Sequence, residues 1–221
     1  IGLLMGTVSG RLCLGGSTIP GHYLLPGYMG AFQRQHPGVR MSLSIGDSQS
    51  IEHRVLAGDI DIGLVGGCES LDDLQYIQVA QDELVVLGPA DHSAPVHPEE
   101  SNLESLPWIL REPGSGTRKA MRSAMAQQGL TLRDLRVALQ VSSTQAVLAC
   151  ISAGLGVSMV SSLAAREPLH RGEVRELQIG ISPKPRFFYA LRHRSRAQFP
   201  ATTIFWTQFL RASGSDELSR D

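Results

Sequence analysis

Residues 10–39 read GRLCLGGSTIPGHYLLPGYMGAFQRQHPGV, and residues 58–65 read GDIDIGLV. Arg11–Gly15 alternates apolar and polar side chains, which predicts a strand. Gly16–Gly21 supplies a turn and a helix start. Leu24, Leu25, Tyr28, Met29 and Phe32 then recur at helical spacing, up to a stop at His36-Pro37-Gly38. Pro26 is tolerated only near the first turn of that helix. Val39–Ile45 alternates as a second strand. Asp47-Ser48 is a good helix start, and Ile51–Ala57 is a short helix closed by Gly58. Ile60–Val65 is a third strand, stopped by Gly66-Gly67. The order β-α-β-α-β predicts an α/β fold with a parallel sheet covered by helices.

Working outward, Glu83–Leu87 is an apolar run that ends at Gly88-Pro89. After a Pro/Asp/His-rich loop the alternation resumes. Trp108–Leu110 reads as a strand, Glu112–Thr117 as a glycine loop, and Arg118–Gln128 as a helix. Leu135–Val141 is a strand and Thr144–Ala153 a helix. Val157–Val160 is a strand, followed by a helix around Ser162–Arg166. Val174–Leu177 and Phe187–Arg192 are strands, and Ile204–Leu210 is a last amphipathic helix. The expected organisation is a stub at 1–9, a first lobe at 10–87 plus 189–212, a second lobe at 88–188, and a disordered tail at 213–221. A cleft between two such lobes suits a small ligand.

Composition narrows the function. The chain has 221 residues, 42% of them hydrophobic, and a net charge of −1, which suits a globular domain and not a disordered one. Apolar runs are too short for a membrane helix. Near-neutral charge disfavours autonomous nucleic-acid binding. Residues 1–87 hold 4 Lys/Arg against 9 Asp/Glu, and residues 88–188 hold 11 against 9, as two lobes with different surfaces would. Cys13, Cys68 and Cys150 form no CxxC or Cys/His cluster, so neither zinc nor a disulfide framework is indicated, and a reducing cytoplasm is expected. No signal peptide is visible, and a chain that starts at isoleucine reads as a fragment or a processed product.

Three hydroxyl-rich clusters each fall between a strand and a helix. They are Ser17-Thr18, Gly114-Ser115-Gly116-Thr117-Arg118, and Ser142-Ser143-Thr144. Strand ends of open α/β sheets face the ligand crevice, and helix N-termini attract anions. Arg118 adds a formal positive charge. A cap alone explains any one cluster; three at equivalent positions point to a shared anion pocket. Enzyme signatures are weak: the glycine loop fails GxSxG, and no GxGxxG or P-loop occurs. Asp59 and Asp61 read as a turn cap and a strand edge. His92 and His97 lack a third metal ligand. His22 precedes the first helix, as a solvated residue or one lining the cleft. No catalytic residue, metal or cofactor is expected.

The opening stretch resembles the start of the effector-binding domain of LysR-type transcriptional regulators. GDIDIGLV at 58–65, DELVV at 82–86, REPGSGTR at 111–118 and AGLGV at 153–157 are similar to further motifs of that family, in the same order. The resemblance covers roughly residues 8–212. It implies two Rossmann-like lobes, similar to type 2 periplasmic binding proteins, with two chain crossings and an effector in the cleft. It places effector contacts at Ser17, Thr18, Gly66, Gly114–Arg118 (Gly114, Ser115, Gly116, Thr117, Arg118) and Ser142–Thr144 (Ser142, Ser143, Thr144). Gly66 departs from members with a hydroxyl residue there.

The resemblance also implies a homodimer, and a tetramer at full length. DNA would be read only through a winged helix-turn-helix that this chain lacks, with RNA polymerase as a further contact and no membrane. The expected function is therefore sensing of a small, anionic effector. The alternatives are a periplasmic solute-binding protein of an ABC-type uptake system and a two-lobed enzyme.

Overall fold

The structure, a computed structural model, describes residues 8–91, 102–181 and 183–212. Strand β1 (Gly10–Ser17) leads into helices α1 (Thr18–Tyr23) and α2 (Leu25–Gln35), then β2 (Val39–Gly46), α3 (Ser48–Ala57), β3 (Ile62–Val65) and β4 (Leu74–Asp82). Next come β5 (Leu84–Pro89), β6 (Trp108–Arg111), α4 (Gly116–Gln127), β7 (Val137–Val141), α5 (Thr144–Ser152), β8 (Ser158–Ser161), α6 (Ser162–His170) and β9 (Val174–Glu176). Strand β10 (Arg186–His193) and helix α7 (Pro200–Ala212) complete the chain. Contacts divide it into two units, Ile1–Gln81 with Phe187–Asp221, and Asp82–Arg186.

The first unit holds a five-stranded sheet in the order β2-β1-β3-β10-β4. β1 runs parallel to β2 and β3, as the alternation implies, but β10 is antiparallel to β3, so the sheet is mixed. Ile51, Val55, Ile60, Val65, Leu74 and Leu191 pack as one apolar cluster. Phe32 of α2 stacks edge-on against Phe205 of α7, and Phe205 against Phe209. The expected single helix after β1 is two. Pro26 at the start of α2 lacks the N–H that a continuous helix needs. Glycines bring α1 onto β1: a Cβ on Gly16 would lie 2.4 Å from Gly21 Cα and 2.9 Å from Leu25 Cδ1.

The second unit holds a three-stranded sheet, β8-β5-β9, and a parallel pair, β6-β7, with a bridge between Trp108 and Val157. β5 is antiparallel to both of its neighbours. Trp108 is fully buried and donates its indole N–H to Leu103 O at 2.7 Å. Met121, Ala124 and Met125 of α4 pack on it together with Leu84, Val86 and Met159.

Both expected crossings shift. The run at Leu84–Pro89 pairs with β8 and β9, so the first crossing falls after Gln81 and not after residue 87. The second falls after Arg186, not after residue 188, because Phe187 and Phe188 belong to β10 and the first unit. The anticipated tail at 213–221, most of the stub at 1–9, and His92 and His97 lie outside the described residues. No described helix is long and apolar enough to cross a membrane.

Gly16→Ala should lower stability by roughly 1–3 kcal/mol, because the added methyl meets backbone that cannot swing away. Urea unfolding checks this; an unchanged midpoint would contradict the close approach of α1 to β1.

Candidate functional site

In the second unit the site grows from two adjacent strand ends. Arg111 closes β6 and stands in register with Val141, which closes β7. Because the strands are parallel, α4 and α5 both start beyond that same edge. Each start is capped: Ser115 Oγ accepts from Arg118 N at 3.4 Å, and Ser143 Oγ accepts from Ala146 N at 3.1 Å. Gly114 and Gly116 shape the loop, and Ser142 is exposed. Thr117 and Thr144, in the first turns of α4 and α5, are 8% and 3% exposed.

Two buried guanidiniums lie behind these threonines. Arg111 Nη1 donates to Thr144 Oγ1 at 2.8 Å, while its Nε and Nη2 clasp both carboxylate oxygens of Glu112 at 2.7 and 2.6 Å. Arg186 Nη1 donates to Thr117 Oγ1 at 3.1 Å, and its Nε and Nη2 each lie 2.7 Å from Asp82 Oδ2. Asp82 Oδ1 accepts from the Ser161 hydroxyl at 2.7 Å. Burial lowers the pKa of Arg186, the Asp82 carboxylate raises it, and the charge of Arg111 lowers it further. An arginine remains protonated all the same.

Arg118 does not stand free as a counter-charge. Its Nη1 donates to Arg111 O at 2.5 Å and to Gln140 Oε1 at 2.7 Å, tying α4 to β6 and β7. Sequence reasoning selected it from the loop motif and passed over Arg111 and Arg186. The signal for Arg111 was available: an arginine that ends an apolar strand beside a glutamate.

In the first unit Ser17 ends β1 and caps no helix N–H with its side chain. Its Oγ instead accepts from Gly66 N at 3.0 Å, so the turns after β1 and β3 are joined. Thr18 and Gly66 are buried beside it. The loop after Gly66 is held by Glu52, whose Oε1 accepts from Glu69 N at 3.0 Å and from the Tyr76 hydroxyl at 2.7 Å. Burial, then the Glu52 carboxylate, raises the pKa of Tyr76. Ser48 was read only as part of a helix start. It is buried at the start of α3, and its Oγ has no hydrogen-bond partner among the described residues. It lies two residues beyond Gly46, which is in register with Ser17. His22 is exposed, and its Nδ1 lies 2.8 Å from Thr18 O. Asp61 Oδ2 accepts from Cys13 N at 2.7 Å, a strand-edge role. The three cysteines are half-buried, and none of them is in a disulfide.

The LysR substrate binding domain family matches residues 6–214. The chain belongs to that family. As a LysR substrate-binding domain it is similar to the RuBisCO operon transcriptional regulator of Acidithiobacillus ferrooxidans, 30% identical over 197 residues, covering 88% of this chain and 63% of that one. It is also similar to a protein of Anaeromyxobacter dehalogenans named Phosphonates import ATP-binding protein PhnC, 36% identical over 199 residues, covering 89% of this chain and 40% of that one. The chain thus spans less than two thirds of either relative. Among solved structures, the Synechocystis CcmR regulatory domain in complex with 2-PG is 27% identical, with a TM-score of 0.79, over 94% of this chain and 99% of that one. The fold is the type 2 periplasmic-binding-protein-like α/β fold expected for a LysR effector-binding domain.

Asp82→Ala should cost about 3–5 kcal/mol in urea unfolding, because it strands the buried Arg186 charge. The double variant Asp82→Leu/Arg186→Met should recover most of that loss. Equal losses in the single and double variants would show that the pair does not act as a unit.

Proposed function

We propose that this LysR effector-binding domain senses a small anion and is not an enzyme. One observation carries the reading. Two helices start beyond the β6-β7 edge, and the hydroxyl residues Ser115, Thr117 and Thr144 are buried at those starts, with the one carboxylate between β6 and α4, Glu112, paired to Arg111. Helix N-termini favour negative charge, and hydroxyls add directed donors. The named relatives supply ligand chemistry to try: phosphonates in one name, 2-PG in one complex.

The rest of the expected assembly belongs to this proposal. Copies pair as homodimers, and as tetramers at full length. DNA is contacted only through a winged helix-turn-helix outside this chain, RNA polymerase is a possible further contact, and the protein works in the cytoplasm. An effector signals only if it binds one arrangement of the domain more tightly than another. Coupling of the usual size, about 1–3 kcal/mol, suffices to change DNA occupancy. A solute-binding protein of an uptake system is not favoured, since the family match and the regulator relative both point to transcription.

Calorimetry against sulfate, inorganic phosphate, methylphosphonate, 2-PG and small carboxylates tests the reading. At least one anion should bind, and Ser115→Ala and Thr117→Ala should each weaken it by about tenfold or more, the value of a buried bond to a charged group. Binding of neutral or apolar ligands only, with both variants silent, would sink the anion reading.

A further inference from the structure

At the end of the first sheet where β1 begins, away from Ser17, the first unit holds a cavity of about 560 Å³. That volume is in the usual range for a small-molecule pocket. Three separate parts of the chain wall it: the start of β1 with Arg11 and Cys13, the turn before β3 with Asp59 and Asp61, and the start of α7 with Phe199 and Pro200.

The strand pairing fixes its floor. Leu14 is in register with Ile62. One residue back the two chains stay joined, because Asp61 N donates to Cys13 O at 2.8 Å and Asp61 Oδ2 accepts from Cys13 N at 2.7 Å. Asp61 Oδ1 has no hydrogen-bond partner among the described residues. Alternation along β1 puts Arg11 on the same face as Cys13. Arg11 and Asp59 carry opposite charges into one cavity, yet among the described residues neither side chain makes a hydrogen bond or an ion pair. Phe199 adds a ring that is 69% exposed, the largest exposure of any large hydrophobic side chain among the described residues. Its backbone is fixed as the start of α7, since Phe199 O accepts from Thr203 N at 3.1 Å.

These groups call for a ligand of mixed charge. Two carboxylates and an aromatic face both attract a cation. A guanidinium is suited to pairing with a carboxylate in a fork of two bonds. A simple anion meets Asp59 and Asp61, and a simple cation leaves Arg11 without a counter-charge. We propose that this cavity is a second ligand site, for an amino-acid-like zwitterion with an apolar side chain. The ammonium group sits at Asp59 and Asp61, the carboxylate at Arg11, and the apolar part against Phe199 and Pro200. The inference does not rest on the anion-sensing reading, whose hydroxyls are at other strand ends.

Calorimetry on the whole chain tests it with L-phenylalanine and L-leucine, and with two probes that each lack one charge of phenylalanine, 2-phenylethylamine and 3-phenylpropionate. At least one of the amino acids should bind. Each single-charge probe should bind about tenfold or more weakly than phenylalanine, the value of a bond to a charged group. Arg11→Gln should weaken the amino acids by a similar factor and leave 2-phenylethylamine unchanged. Asp59→Asn should weaken both the amino acids and the amine, and Phe199→Ala should weaken every probe with a ring. Asp59 and Arg11 are exposed, so both variants should keep the wild-type unfolding midpoint in urea, which separates lost binding from lost folding. Failure of the wild type to bind either amino acid would overturn the proposal. So would 3-phenylpropionate binding as tightly as phenylalanine, or amino-acid affinity that is unchanged in both charge variants.

Discussion

The second unit opens at Asp82 and closes at Arg186, and those two side chains form a buried ion pair. Residues 104 positions apart are joined by this contact, so it closes the unit at the point where the chain leaves and re-joins the first. A buried pair of this kind is not chiefly a source of stability; its loss on one side is what costs. Its value lies in geometry. Ser161 is bound on one side of the pair and Thr117 on the other, so the end of β8 and the start of α4 are both set by the same two charges.

Arg111 plays the matching part for α5. It ends β6, pairs with its own neighbour Glu112, and reaches Thr144 across the strand edge. The result is a pair of helix starts whose hydroxyls are held from behind by cations that are themselves neutralised. The field at the edge therefore comes from oriented donors and helix termini more than from net charge. On the proposed reading, these donors and helix starts hold the anion. Arg118, the cation of the Gly114–Arg118 cluster, is engaged with Arg111 O and Gln140.

Much of this was legible in the sequence, and what was not has physical reasons. Strands β1, β2 and β3 alternate or run apolar, and α3 and α5 carry good caps at Asp47 and Ser143, so local pattern sufficed. β4 was missed because Leu74–Asp82 mixes Gln, Tyr and Asp and is only irregularly buried. β5 was seen but given to the wrong lobe. An apolar run looks the same whichever sheet it joins, and its partners β8 and β9 lie far along the chain. The hydroxyl clusters were legible as caps, and the cap geometry at Ser115 and Ser143 follows. The buried arginines were not, since charged residues are surface residues by default and only long-range partners mark the exceptions. Ser48 went unnoticed because its cap neighbour Asp47 explained the turn without it.

The central claim is that this LysR domain presents hydroxyl donors at two neighbouring helix starts to an anionic ligand. A high-resolution crystal structure of the chain grown with a saturating oxyanion tests it most directly. The account predicts the anion within hydrogen-bond distance of both Thr117 Oγ1 and Thr144 Oγ1, with the Arg111 and Arg186 contacts unchanged. An anion bound elsewhere, with those two hydroxyls donating to acceptors of the protein itself, would contradict it.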